Sequence, residues 1–211
     1  MRISIRQFTY FNLIWKYYID GILMKIVNSK NFVPQKIFLT KGIGTHKEKL
    51  ASFELALRDA GIASLNLITV SSILPPKCEF VDKNEGVKAL LPGQVVPIVL
   101  ARSESNTPST LVSSGVGVAV PRNREDYGYL SEHHCTEMDE DSMEEYVEDL
   151  AAEMLATTYG IRFDPDASWD EKRELWSIDN RIVKTRSIVQ TGKVNSEGYW
   201  TTTVAAAVLI L

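Results

Sequence analysis

The chain has little of several residue types that usually advertise a function. It carries only two cysteines, Cys78 and Cys135, too few for a disulfide framework, so both read as reduced thiols of an intracellular, cytoplasmic protein. Histidine is equally scarce, and two of the three, His133 and His134, sit side by side in Ser131-Glu-His-His-Cys135. Metal ligands alternate along a strand face or fall three or four apart on a helix, so this contiguous run argues against a metal site. A formal net charge of −4 gives no general pull toward nucleic acid or an anionic membrane. No apolar run is long enough to span a bilayer, because Lys16 and Asp20 follow closely on the uncharged stretch Gln7 to Trp15. Gly42-Ile-Gly44 lacks the third glycine and the Gly-Lys-Ser/Thr ending of a phosphate loop and reads as a turn.

What is present fits one globular domain. A chain of 211 residues with 45% hydrophobic and 24% charged content is ordinary for a soluble fold. At this length about 70% of the unfolded surface is expected to be buried. Residues 1–31 stand apart as a leader, basic at the start and without a small-residue cleavage pattern; we expect an over-extended start, with translation beginning at Met24. Residues 32–211 are expected to form a single domain, with no repeat, linker or low-complexity tract.

Val33–Thr40 predicts a strand, and Thr45 with Glu48 matches a capping box ahead of a helix marked by Leu50, Phe53, Leu57 and Ala60 and stopped by Gly61. Leu65–Ile73 predicts a strand halted by Pro75-Pro76. Further strands are predicted at Gln94–Ala101, Leu111–Val120 and Tyr127–Glu132. The acidic run from Glu137 leads into the clearest helix, with Met143, Val147, Leu150, Ala151, Met154 and Leu155 on one face and Gly160 at its end. Arg181–Gln190 and Trp200–Leu211 read as a terminal hairpin about a turn at Asn195–Gly198. Two principal helices cannot supply the crossovers of a large parallel sheet, so the expected fold is α/β (α+β), with mostly antiparallel sheets and helices outside.

Ser71-Ser72 ends an apolar strand just before the Pro-Pro stop. The dipeptide alone says almost nothing, since Ser113-Ser114 repeats it. Its surroundings say more. A serine hydroxyl can attack the carbonyl before it, turning the amide into an ester through an oxyanion, if the peptide is held strained and a donor meets the oxyanion. Asn66, in the same segment, has a side-chain amide able to serve as that donor. Elimination and hydrolysis then leave a pyruvoyl group at residue 72, a ketone that forms a Schiff base with an amine and acts as an electron sink.

The stretch Asn66-Leu-Ile-Thr-Val-Ser-Ser-Ile-Leu-Pro-Pro76 resembles the self-cleavage segment of the pyruvoyl-dependent arginine decarboxylases. The resemblance extends to Ser52-Phe-Glu-Leu-Ala-Leu-Arg-Asp-Ala-Gly61, Gly117-Val-Gly-Val-Ala-Val-Pro121 and Gly128-Tyr-Leu-Ser-Glu132. It implies cleavage between Ser71 and Ser72 into a beta chain, 1–71, and an alpha chain, 72–211, headed by the pyruvoyl group. It further implies that Asn66 supports cleavage and that Glu132 protonates the substrate carbon after carbon dioxide leaves. Glu54 falls where some members have an aspartate facing the substrate guanidinium; from pattern alone it pairs with Arg58 on its own helix. The implied fold is a four-layer α/β/β/α sandwich, assembled as homotrimers with sites between protomers. The implied reaction converts L-arginine to agmatine, with no metal and no pyridoxal phosphate.

Three alternatives stand beside this one. The first is a decarboxylase of another basic amino acid on the same scaffold. Cleavage can instead expose Ser72 as the nucleophile of an autoproteolytic N-terminal serine hydrolase. An interaction protein that keeps the fold would leave Ser71-Ser72 intact.

Overall fold

Helical and strand periodicities in this chain each leave one face apolar, and the fold hides those faces by stacking four layers. The computed structural model describes residues 32–160 and 182–211, so the expected leader lies outside the described residues. Pro34–Leu211 clusters as one compact unit. The first sheet contains β1 (Lys36–His46), β2 (Asn66–Thr69), β4 (Glu79–Phe80), β5 (Val95–Ser105) and β9 (Trp200–Ile210), in the order β2-β5-β9-β1-β4. The second contains β3 (Ile73–Leu74), β6 (Leu111–Pro121), β7 (Gly128–Thr136) and β8 (Ile182–Lys193), in the order β3-β7-β6-β8. Among the described strands only β2 with β5 and β1 with β4 run parallel, so the sheets are mostly antiparallel, as expected from the shortage of crossover helices.

Ile37, Val99 and Ala207 of the first sheet meet Val116, Val118 and Leu130 of the second in a buried core between the sheets. Helix α1 (Lys49–Asp59) covers the outer face of the first sheet, where Ala56 and Leu57 pack with Phe38, Ile98 and Val204. A short helix α2 (Lys83–Lys88) is capped by the Asp82 side chain, which accepts from the Asn84 amide. Helix α3 (Glu140–Thr158) covers the second sheet through Met143 and Val147 against Val189, and Ala151 and Leu155 against Ala119. The result is the α/β/β/α sandwich.

Five local expectations change. The terminal hairpin does not form: β8 pairs with β6 in the second sheet, whereas β9 pairs with β1 and β5 in the first. The reason lies in β9, whose Thr201–Leu209 side chains are buried on both faces and so need a central place in a sheet. The predicted strand Leu65–Ile73 splits into β2 and β3, which belong to different sheets. Gly42 and Gly44 lie within β1, not in a turn; a Cβ at either would stand 2.2 Å from a backbone oxygen of α1, so their absence lets the helix seat on the strand. The capping box is absent because β1 runs on to His46, whose Nδ1 accepts from the Glu48 amide at 2.9 Å, while Thr45 bonds to Thr201. Leu50, expected on the core stripe, is exposed, since α1 docks through Ser52 and Ala56 beside those glycines.

Helix α3 sits as close to its sheet: a Cβ at Gly117 would lie 2.0 Å from the Val147 carbonyl oxygen. Gly117→Ala is therefore expected to lower stability by about 1–3 kcal/mol, the ordinary range for overpacking. Urea denaturation in a Ser72→Ala background checks this, and an unchanged midpoint would show that α3 can yield.

Candidate active site

The chain leaves the first sheet and enters the second within three residues, and the Ser71–Ser72 peptide lies in that passage. The Val70 amide donates to the Ile98 carbonyl at 3.0 Å, continuing the β2–β5 ladder. Two residues later the Ser72 carbonyl accepts from the Leu130 amide at 2.8 Å, the first bond to β7. Between them the Ile73 amide donates to the Ser71 carbonyl at 2.9 Å, closing a three-residue turn centred on Ser72. Ser71 is exposed and Ser72 half-buried.

Downstream the exit is fixed. Leu74 is buried in the inter-sheet core, and Pro75 and Pro76 have no amide hydrogen to give. The Lys77 amide donates to the Arg124 carbonyl at 2.9 Å, and the Arg124 guanidinium donates back to the Cys78 carbonyl at 2.5 Å.

Glu132 lies on β7 opposite Val116, two residues beyond Leu130. Both of those side chains face the inter-sheet core, so strand alternation puts Glu132 on the same face, at its solvent-exposed margin. There the Ser72 hydroxyl donates to Glu132 Oε2 at 3.2 Å. Residues 60 apart in sequence are thus joined. Because Glu132 is exposed in the single chain, apolar enclosure of the site is not supplied by these residues alone. The neighbouring His133 ring packs 4.5 Å from that of Tyr146 on α3, and burial, followed by His134, holds its pKa below the usual value. Among the described residues no three His, Cys, Asp or Glu side chains gather as metal ligands.

Asn66 and Glu54 are placed differently. The Asn66 side-chain amide donates to the Gly93 carbonyl at 2.7 Å, and its main-chain amide to the Gln94 carbonyl at 2.8 Å. It therefore pins the start of β2 and makes no bond to the Ser71 carbonyl. Glu54 is half-exposed on α1 and accepts from Arg58 Nε at 3.0 Å, the i,i+4 pair its spacing predicted. On the outer layer, it is not brought to Ser72 within one chain.

Sequence reading missed two kinds of feature. Main-chain groups at the turn, the Ile73 and Leu130 amides, carry no side-chain signature. Exposed apolar side chains were also missed: Ile68 (52%), Leu91 (70%) and Val95 (54%) near the β2 edge, and Leu50 (76%) beside Leu55 on α1. The signal for the first group was Leu67-Ile68, adjacent apolar residues that must point to opposite faces of a short strand.

A comparison with known families matches residues 36–211 to the family described as pyruvoyl-dependent arginine decarboxylase. The chain belongs to the pyruvoyl-dependent arginine decarboxylase family. It is 51% identical over 180 residues to a "Probable pyruvoyl-dependent arginine decarboxylase" of Chlorobium phaeovibrioides, covering 85% of this chain and 99% of that protein. It is 52% identical over 178 residues to "Pyruvoyl-dependent arginine decarboxylase 2" of Methanosarcina mazei, covering 84% and 97%. A protein of the same name from Methanosarcina acetivorans is 51% identical over 178 residues, again covering 84% and 97%.

Family membership implies a covalent pyruvoyl group, and the residues present fit it. Ser72 stands at an accessible turn with its hydroxyl held by a carboxylate, and the Ser71 carbonyl before it accepts from a main-chain donor.

Burial, partly opposed by the Arg124 charge, pushes the Cys78 thiol up to about 11. The thiolate is the reactive form, so iodoacetamide at pH 8 is expected to label the half-buried Cys135 and spare Cys78 in the folded protein. Peptide mass mapping reads this out, with Cys78 labelling rising as pH approaches 11. Equal labelling at pH 8 would contradict the sealed exit.

Proposed function

We propose that the chain cuts itself between Ser71 and Ser72, turns Ser72 into a pyruvoyl group, and with it decarboxylates L-arginine to agmatine and carbon dioxide. The observation that carries this is the meeting of the Ser72 hydroxyl with Glu132 at 3.2 Å, at a peptide strung between two sheets. Family membership and the arginine decarboxylase names of the relatives support the reaction and the substrate. The products of cleavage are a beta chain, 1–71, and an alpha chain, 72–211, and residues 32–211 work as a single domain.

When formed, the ketone at residue 72 supplies an electron sink for a substrate amine, so no metal or pyridoxal phosphate is called for. The remaining work belongs to side chains. Glu132, already beside residue 72, delivers a proton to the substrate carbon that carbon dioxide leaves; an acid of this kind needs apolar surroundings to keep its proton near neutral pH. Asn66 supports the cleavage by tying β2 to the Gly93 carbonyl and so holding the strand that leads into Ser71. Glu54 offers a carboxylate that a guanidinium can grip bidentately, in exchange for Arg58.

Glu54 and Ser72 meet only if a second copy supplies one of them. Two apolar rims favour that arrangement: Leu50 and Leu55 lie on the helix of Glu54, and Ile68 and Ile73 lie on either side of the cleavage turn. Burying one rim against the other in a closed ring joins the two halves of the site and encloses Glu132. We assign the assembly as a homotrimer of cleaved protomers. No helix of the described residues is long and apolar enough to cross a membrane, and the two free thiols suit the cytoplasm.

The test combines the intact masses of both fragments with carbon dioxide release from labelled arginine. Ser72→Ala should remain one chain and be inactive. Glu132→Gln retains an acceptor for the Ser72 hydroxyl but cannot give up a proton, so it should cleave yet lose about 10²–10⁴-fold in turnover, the usual worth of general acid catalysis. A free serine amine on the C-terminal fragment would point to a hydrolase instead, and an active Ser72→Ala would refute the mechanism.

A further inference from the structure

Attack on the Ser71 carbonyl puts a negative charge on its oxygen, and a donor must already face that atom. The pairing of β3 with β7 shows which group does. Ile73 stands opposite Tyr129, and the bond from the Leu130 amide goes to the carbonyl of the preceding residue, Ser72. In an antiparallel ladder this makes Ile73–Tyr129 a pair without mutual hydrogen bonds, with the Ile73 amide turned away from β7. That amide is therefore not spent on the sheet. It is directed to the Ser71 carbonyl oxygen at 2.9 Å.

Two further observations isolate this donor. The only described non-glycine residues with positive φ are Lys77, Ser109 and Glu137, so the turn about Ser72 is of the inverse γ class common at strand ends. It is a closed ring that contains the reacting residue itself, so donor and acceptor are aligned before attack. The Asn66 side-chain amide, in contrast, is engaged with Gly93 at 2.7 Å.

We infer that the main-chain N–H of Ile73 is the oxyanion donor of self-cleavage, and that Asn66 is a positioning residue acting through β2. The inference rests on the self-cleavage at Ser71-Ser72 proposed above. In the step concerned, Ser72 Oγ bonds to the Ser71 carbonyl carbon and the oxygen of that carbonyl becomes the oxyanion. Its collapse breaks the bond from that carbon to the Ser72 nitrogen. The hydroxyl proton ends on that nitrogen, leaving an ester and a free amine with no change of oxidation state. Ile73 N–H serves the oxyanion throughout, because the turn that aims it is formed in the uncleaved chain.

The experiment follows the disappearance of full-length chain on denaturing gels after purification under conditions that slow cleavage. Residue 73 is replaced by the α-hydroxy acid counterpart of isoleucine through nonsense suppression, which swaps the N–H for an oxygen and keeps the side chain. Cleavage should slow by about 10²–10³-fold, the usual effect of losing one oxyanion donor. Ile73→Pro, which removes the same N–H by another route, should be slowed likewise. Circular dichroism of each variant combined with Ser72→Ala separates slow chemistry from failed folding. If either folded variant lacking the N–H cleaves at the parent rate, the inference is overturned while the self-cleavage stands. If the parent chain never cleaves, the self-cleavage itself is wrong.

Discussion

A chain that leaves one sheet at Val70 and joins another at Ser72 has its main-chain groups claimed from both sides. Ile98 holds the approach and Leu130 holds the departure, at 3.0 and 2.8 Å. Only the Ser71–Ser72 peptide is left between the two ladders, and neither sheet can shift to relieve it without breaking its own core. Such a peptide is restricted in the conformations it can escape to, which is the condition an intramolecular attack requires. The Pro75-Pro76 exit and the Arg124–Cys78 bond extend the restraint downstream. Every feature of the site depends on this passage between sheets.

The four layers exist to hold both sides of the passage. Between the sheets, Val118 and Leu130 face Val99 and Ala207. Outside them, helices approach strands closely because Gly42, Gly44 and Gly117 carry no Cβ. Close seating of α1 through Ser52 and Ala56 also explains why Leu50 and Leu55 are left exposed around Glu54. One packing choice thus both fixes the sheet and frees an apolar rim.

Much of the site was legible once the family resemblance was added to the residue types. Ser72 before Pro75-Pro76 and Glu132 in Ser-Glu-His-His were singled out, and the structure joins them at 3.2 Å. The elements were legible too, since helix α3 and the long strands β5, β6 and β9 follow their periodicities. Partnerships were less so. A run such as Leu65–Ile73 reads as one strand because alternation is local, yet which sheet each half joins depends on β5 and β7. The hairpin of β8 and β9 failed for the same reason, and the glycines of β1 read as a turn because the helix that needs them lies elsewhere in the chain.

The sequence by itself determined the groups available: a serine hydroxyl one residue after the Ser71 carbonyl, a carboxylate at Glu132 and a proline stop at Pro75-Pro76. Those properties reside in single side chains or in neighbours along the chain. The tertiary structure alone decided that Ser72 meets Glu132, that Asn66 holds Gly93, and that the Ile73 amide is turned to the Ser71 carbonyl. Such outcomes depend on strand register and on which main-chain groups the ladders leave unspent, and register is settled only when distant strands pair.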